Sequence, residues 1–166
     1  MNEIADALWG YTELGLKEYR SSALLSEELR WYRFSVKNGL VDMPSAFEAA
    51  LGEGKPVIGF IVEYEALPGL SNHAVPYHCP IHEGRPGHGR GHNLFGAASV
   101  ARAIAVKNVM KKHRTTGTVK LFETPAEEKC TGKPFMARDG YFKDIDAFLD
   151  LHPDVITTKD FCTCRP

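Results

Sequence analysis

Val57-Ile58-Gly59-Phe60-Ile61-Val62 is the stretch whose reading decides the fold. A continuous apolar run of this length, rich in β-branched residues and followed by a loop dense in Gly and Pro, reads as a strand buried on both faces. Outward from it, residues 118–122 and 147–151 read as further strands, and Phe34-Ser35-Val36 and residues 46–51 as shorter ones. Gly52-Glu53-Gly54 then marks a turn. Helices are expected over residues 2–9, 19–33, 93–112 and 131–139. In the second, Ala23, Leu24, Leu25, Leu29 and Tyr32 recur at helical spacing, and Ser21 or Ser22 is placed to cap the start. Asn93 is placed to cap the third. Its apolar positions, Leu94, Ala97, Ala98, Ala101, Ile104 and Ala105, are mostly small enough for close packing on a sheet. Strands alternating with helices give an α/β class with a sheet at least partly parallel.

The chain of 166 residues fits one domain with a real core. A formal net charge of −1 supplies no bulk field for nucleic acid or membrane. The longest basic run, residues 107–114, falls where a helix should end, and cations there favour the helix dipole. No apolar run approaches the roughly 20 residues of a membrane helix. Met1-Asn2-Glu3-Ile4-Ala5-Asp6 lacks the cationic head and apolar stretch of a secretion signal. Cys79, Cys130, Cys162 and Cys164 do not make a disulfide framework in a chain this long, so a cytoplasmic location is expected.

Three strands run into polar groups: Glu63-Tyr64-Glu65, then Glu123-Thr124-Pro125-Ala126-Glu127-Glu128, then Asp150-Leu151-His152-Pro153. Open α/β sheets place their sites beyond the carboxyl ends of strands, so these groups are candidates to converge in one crevice. The long segment 63–91, without periodicity, would deliver His88 and His92 to it. His and Glu suit zinc, manganese or cobalt. Adjacent carboxylates let one bind metal while its neighbour moves a proton, as metal-assisted hydrolysis requires. Gly87-His88-Gly89-Arg90-Gly91 before a helix has a competing reading as a phosphate cradle. A dinucleotide fingerprint should follow a strand directly and meet an acidic residue about 20 positions on. Here Pro-bounded residues 80–86 precede the glycines and basic residues 107–112 occupy the later region, which disfavours a nucleotide and leaves a plain flexible loop as the alternative.

Glu63-Tyr64-Glu65-Ala66-Leu67-Pro68-Gly69-Leu70, Gly87-His88-Gly89-Arg90-Gly91-His92-Asn93-Leu94-Phe95-Gly96, Pro125-Ala126-Glu127-Glu128 and His152-Pro153 occur in that order. Together they resemble the metal-dependent amidohydrolases related to carboxypeptidase G, aminoacylase and hippurate hydrolase, in the aminobenzoyl-glutamate hydrolase form. Trp9, Glu13-Leu14-Gly15, Ser21-Ser22, Pro44-Ser45-Ala46-Phe47 and Gly132-Lys133 fit the same pattern, so the resemblance runs from Ile4 to Asp154. It implies part of the catalytic domain of a co-catalytic metallopeptidase, with a mixed, mostly parallel sheet flanked by helices. On this expectation residues 1–156 are the amino-terminal portion of that domain, residues 157–166 are an off-pattern tail, and the dimerisation domain and carboxyl-terminal half are absent. By resemblance Glu127 is the general base, His92, Glu128 and His152 are metal ligands, and Glu65 and His88 stand behind the ligands. The implied cofactor is a divalent metal, zinc or manganese with cobalt as a third candidate, up to two ions in relatives. The implied substrate is a small N-acyl amino acid such as an aroyl-glutamate.

Two departures matter. The family loop carries a cysteine ligand where this chain has Arg90, and a guanidinium repels a cation that a thiolate would hold. Loss of at least one metal position is expected unless Arg90 turns outward. The family usually has Asp at the position of Glu65, so that contact gains one methylene. An amidohydrolase with impaired activity and a non-catalytic remnant acting by association are therefore the two readings. Missing strands would expose a sheet edge open to self-association. Cys162 and Cys164 read as an incidental tail rather than a metal hook.

Overall fold

The decisive run is strand β3 (Val57–Val62) in the computed structural model, which describes residues 1–153. The other strands are β1 (Ser35–Asn38), β2 (Phe47–Glu53), β4 (Gly117–Glu123) and β5 (Ala147–Leu149), in sheet order β1-β2-β4-β3-β5. β3 pairs in parallel with β4 and β5, while β2 runs antiparallel to β1 and β4. The sheet is mixed, as expected, and its parallel half is centred on β3. Val62 is level with Glu123, so β3 and β4 release their chains side by side at the same rim.

Alternation along the strands divides the apolar residues between two faces. On one face lie α1 (Asn2–Tyr11), α2 (Tyr19–Trp31) and α3 (His92–His113), and the main core joins Leu8, Leu25, Leu29, Val100 and Ala103 to Phe47, Phe60 and Leu121. The other face carries α4 (Gly132–Arg138) over a smaller core of Ile61, Phe122 and Met136. There the rings of Phe122, Phe142 and Phe148 meet with centroids 5.2–6.0 Å apart. Each buried side chain of this size stabilises the fold by about 1.5–3 kcal/mol before entropy is counted.

Helix starts differ from the sequence expectation. α2 begins after Glu18, so Ser21 and Ser22 lie inside it, buried rather than capping. Ser21 donates from both N–H and Oγ to Glu13, and Ser22 Oγ donates to the Ser45 carbonyl. α3 begins at His92 behind Gly91, whose φ of 78° lies in the left-handed region that glycine adopts freely. Asn93 is therefore inside the helix, and its side-chain amide donates to the Ala5 carbonyl. The buried stripe of α3 is Phe95, Val100 and Ala103 with Ala97 and Ile104, whereas Leu94 and Ala105 face outward. The basic run ends α3 as expected, with Arg114 just beyond it. Among the described residues no helix is long and apolar enough to cross a membrane. The 157–166 tail, the boundary at 156, and Cys162 and Cys164 lie outside the described residues.

Candidate metal centre

Beyond Val62 the chain stays extended, so Tyr64 turns into the main core while Glu63 and Glu65 turn to the opposite side. Both carboxylates are buried. Ala66 N–H donates to the Glu13 carbonyl at 2.7 Å, and Leu67 and Gly87 exchange backbone bonds at 3.0 Å. These bonds pin both ends of the long loop, and Gly91 then starts α3 with His92 in its first turn.

His92 is 1% exposed and its Nδ1 lies 3.2 Å from Glu65 Oε2. Donation to that carboxylate fixes the ring and turns Nε2 towards Glu63 Oε2 at 3.8 Å and Glu128 Oε1 at 3.9 Å. The second oxygen of Glu65 accepts the Glu128 N–H at 2.9 Å. One carboxylate thus orients both an imidazole and the adjacent Glu pair, despite its extra methylene.

From β4 the chain passes through Pro125 and Ala126 (φ 55°) into a short 3-10 turn, Glu127–Lys129. Ala126 N–H donates to Glu18 Oε1 at 2.9 Å, and Ser45 Oγ donates to Glu18 Oε2 at 3.0 Å. Fully buried Glu18 therefore holds the turn that presents Glu127 and Glu128. Lys133, in the first turn of α4, pairs with Glu63 and lies 3.5 Å from Glu127.

The rim thus brings together Glu65, His92, Glu127, Glu128 and His152 from three strand ends and one helix start. One ligand atom each from Glu63, His92 and Glu127 lies within 4.8 Å of the others. Sequence reasoning gives no role to Glu63 or Lys133. The signal for Glu63 is the period of two, which puts it on the same side as Glu65. The His152 ring stands edge-on to His92, with centroids 5.3 Å apart, and its Nδ1 faces the Pro153 carbonyl at 2.8 Å. Arg90 does not turn away: its guanidinium is 3.7 Å from Glu128 Oε1. The Nε2 of His88 donates to the Leu8 carbonyl at 2.9 Å.

His92 Nε2 and Glu128 Oε1 are buried without any hydrogen-bond partner. Their 3.9 Å separation is too long for a hydrogen bond, and an inward shift of about half an ångström would set both about 2 Å from a common ion in tetrahedral geometry. The residues present fit a divalent cation.

The electrostatics agree with a site built for added charge. Burial alone would depress His92, but hydrogen-bonded Glu65, then Glu63 and Glu128, raise it. Glu65 is lowered against its burial by His92 and the Glu128 N–H. Burial raises Glu63 in spite of Lys133, and raises Glu18. Glu123, wholly enclosed, is pushed well up by burial and by the neighbouring Glu18. Burial pushes His88 down to about 4, so it is a neutral donor to Leu8.

The model of peptidase family M20/M25/M40 matches residues 60–160, more than half of the chain. One of the p-aminobenzoyl-glutamate hydrolase subunits of Escherichia coli (strain K12) is 42% identical over 153 residues, which are 92% of this chain and 32% of that protein. The Xaa-Arg dipeptidase of Mus musculus is 27% identical over 92% of this chain and 35% of its own length. The chain therefore spans about a third of the length of the curated relatives it matches. Among solved structures, the Bacillus subtilis YXEP protein, described as a dinuclear metal binding peptidase from the M20 family, superposes with a TM-score of 0.78. It is 20% identical, over 92% of this chain and 42% of that one, a likeness of fold. A family match across the long loop, α3 and β4, together with the convergent His and Glu side chains that those elements carry, gives one conclusion: this chain belongs to peptidase family M20/M25/M40.

Proposed function

We propose that this chain carries the metal-binding part of a hydrolase that cleaves the amide bond of a small N-acyl amino acid of the aminobenzoyl-glutamate type. The observation that carries the reading is the buried, unpartnered His92 Nε2 facing carboxylates of Glu63 and Glu128, with Glu127 beside them. Identity to the Escherichia coli hydrolase supports the substrate class.

His92, Glu128 and Glu63 would hold the ion, with the His152 ring beside His92, its centroid 5.3 Å away. Zinc or manganese, with cobalt as a third candidate, would polarise the amide carbonyl and favour water ionisation near neutral pH. Glu127 takes the proton from the attacking water and returns it to the leaving amine. Glu65 keeps His92 in the tautomer whose Nε2 can bind. Lys133 pairs with Glu63 and lies 3.5 Å from Glu127, which puts one cation between the two carboxylates. The free thiols of Cys79 and Cys130 support a reducing, cytoplasmic setting.

The test is calorimetric titration of the chelator-stripped chain with zinc and manganese, alongside an assay for aminobenzoate release from aminobenzoyl-glutamate. Saturable binding that His92→Ala abolishes is expected, with Glu127→Gln keeping the ion and losing any turnover. Equal binding by the His92→Ala chain would sink the reading. The second reading, association without catalysis, draws on β5. Its Phe148 and Leu149 are exposed and, among the described residues, its outer edge has no strand partner. Light scattering that shows only monomer over a wide concentration range removes that reading.

A further inference from the structure

We infer that the Arg90 guanidinium stands in for one of two cations, so that this chain binds a single divalent ion. The inference rests on the metal reading above and sharpens it. Glu128 Oε1 lies 3.9 Å from the His92 Nε2 and 3.7 Å from the Arg90 guanidinium. The His92 side is dry, with the imidazole 1% exposed, whereas the Arg90 side chain is 58% exposed. A carboxylate between two ions would meet one on each side. Here the outer place holds a fixed organic cation.

Charge balance points the same way. Four carboxylates, Glu63, Glu65, Glu127 and Glu128, line the crevice, and Lys133 and Arg90 already answer two of them. One dication with a neutral His92 brings the cluster to neutrality. A second dication would leave two uncompensated positive charges beside largely buried groups, next to a guanidinium that cannot lose its proton. The inner side is also where metal-binding side chains gather: one atom each from Glu63, His92 and the proton-moving Glu127 lies within 4.8 Å of the others, and no second such group occurs among the described residues. A guanidinium differs from an ion in what it supplies. It offers planar N–H donors and a permanent charge to a substrate oxygen, but no open coordination position. The B. subtilis YXEP protein, a dinuclear metal binding peptidase by description, shares this fold, so the difference lies in side chains.

The test counts ions. Chelator-stripped wild-type chain, Arg90→Cys and Arg90→His are each titrated with cobalt(II) and zinc(II) by calorimetry, then dialysed and analysed for metal. One ion per wild-type chain is expected, and two per chain in at least one of the variants. In Arg90→Cys the second cobalt equivalent should bring a thiolate-to-cobalt charge-transfer band absent from the wild type. Any wild-type count other than one overturns the inference, and so does a count of one in both variants. Those results leave the metal reading standing if ions bind at all. Failure of all three chains to bind removes the metal reading and the inference together. Because Arg90 is mostly exposed, circular dichroism should show the wild-type fold in both variants.

Discussion

Phe60 and Leu121 are level with each other in β3 and β4 and bury apolar rings and branches against the helices of the main core. Two or three residues further along the same strands, Glu63 and Glu123 bury carboxyl groups instead. The body of the sheet stabilises itself by excluding water, and it needs nothing from outside the chain. The rim does the reverse: desolvated acids cost free energy that hydrogen-bond donors, bound protons or partner cations must recover. Stability is therefore generated in one part of each strand and spent in the next, which is the pattern of a site held in tension by its scaffold.

The largest expected effect falls on the body. Leu121→Ala should destabilise the chain by about 3–5 kcal/mol, since the side chain is fully buried and its neighbours come from separate elements. Urea unfolding measures it, and the loss should be the same with and without added metal. A loss that depended on metal would erase the distinction between body and rim.

Glu18→Ala comes next. It leaves the Ala126 N–H and the Ser45 hydroxyl without their acceptor, a cost of about 1–3 kcal/mol, and frees the turn bearing Glu127. Glu18→Gln keeps an oxygen for Ala126 and should recover most of both stability and ion affinity. Were Gln as damaging as Ala, charge rather than hydrogen bonding would be what Glu18 contributes.

The smallest effect is a slope with pH. Glu18, Glu63 and Glu123 have folded pKa values raised above 4.5, so the native state binds more protons and stability falls as pH rises past that value. His92 is raised above 6.5, so its pairing with Glu65 is fully present below 6.5 and is lost as pH rises through the elevated value. Glu65, lowered from 4.5, contributes above that value and loses its contribution only in acid. His88, pushed down to about 4, opposes this slope, but only below 6.5. The metal-free chain should thus melt higher near pH 6.5 than near pH 8, with a shift of a few degrees for about 1 kcal/mol. A bound dication prefers the deprotonated ligands and should reverse the order. An unchanged order with metal present would show that the rim acids are not what the ion meets.

Body and rim also differ in how much the sequence reveals. β3 is legible because a fully covered strand needs apolar side chains on both faces, and residues 57–62 carry them without interruption. His92, Glu127 and Glu128 are legible because they stand at element boundaries where open sheets place sites. The Lys133–Glu63 pair joins residues 70 apart, and no local period encodes it. The true start of α3 is hidden for another reason: Asn93 has the chemistry of a cap, but a left-handed Gly91 ends the loop two residues earlier, and tertiary contact with Ala5 claims the Asn side chain. Ser21 and Ser22 mislead likewise, because their hydroxyls serve Glu13 and Ser45 rather than the ends of their own helix.

Long-range hydrogen bonds join the rim to the first eighteen residues, among them His88 to Leu8, Asn93 to Ala5 and Ala126 to Glu18, across 80, 88 and 108 positions of chain. Contacts of such separation close late in folding, because the intervening loop entropy must be overcome first. A nascent chain emerging amino end first makes α1 and α2 long before the residues that will lean on them. Fraying of α1 in the finished protein would then loosen the imidazole-bearing loop from a distance, without touching a ligand. The first helix is in this sense a latch on the crevice, and the order of synthesis makes it wait longest for its catch.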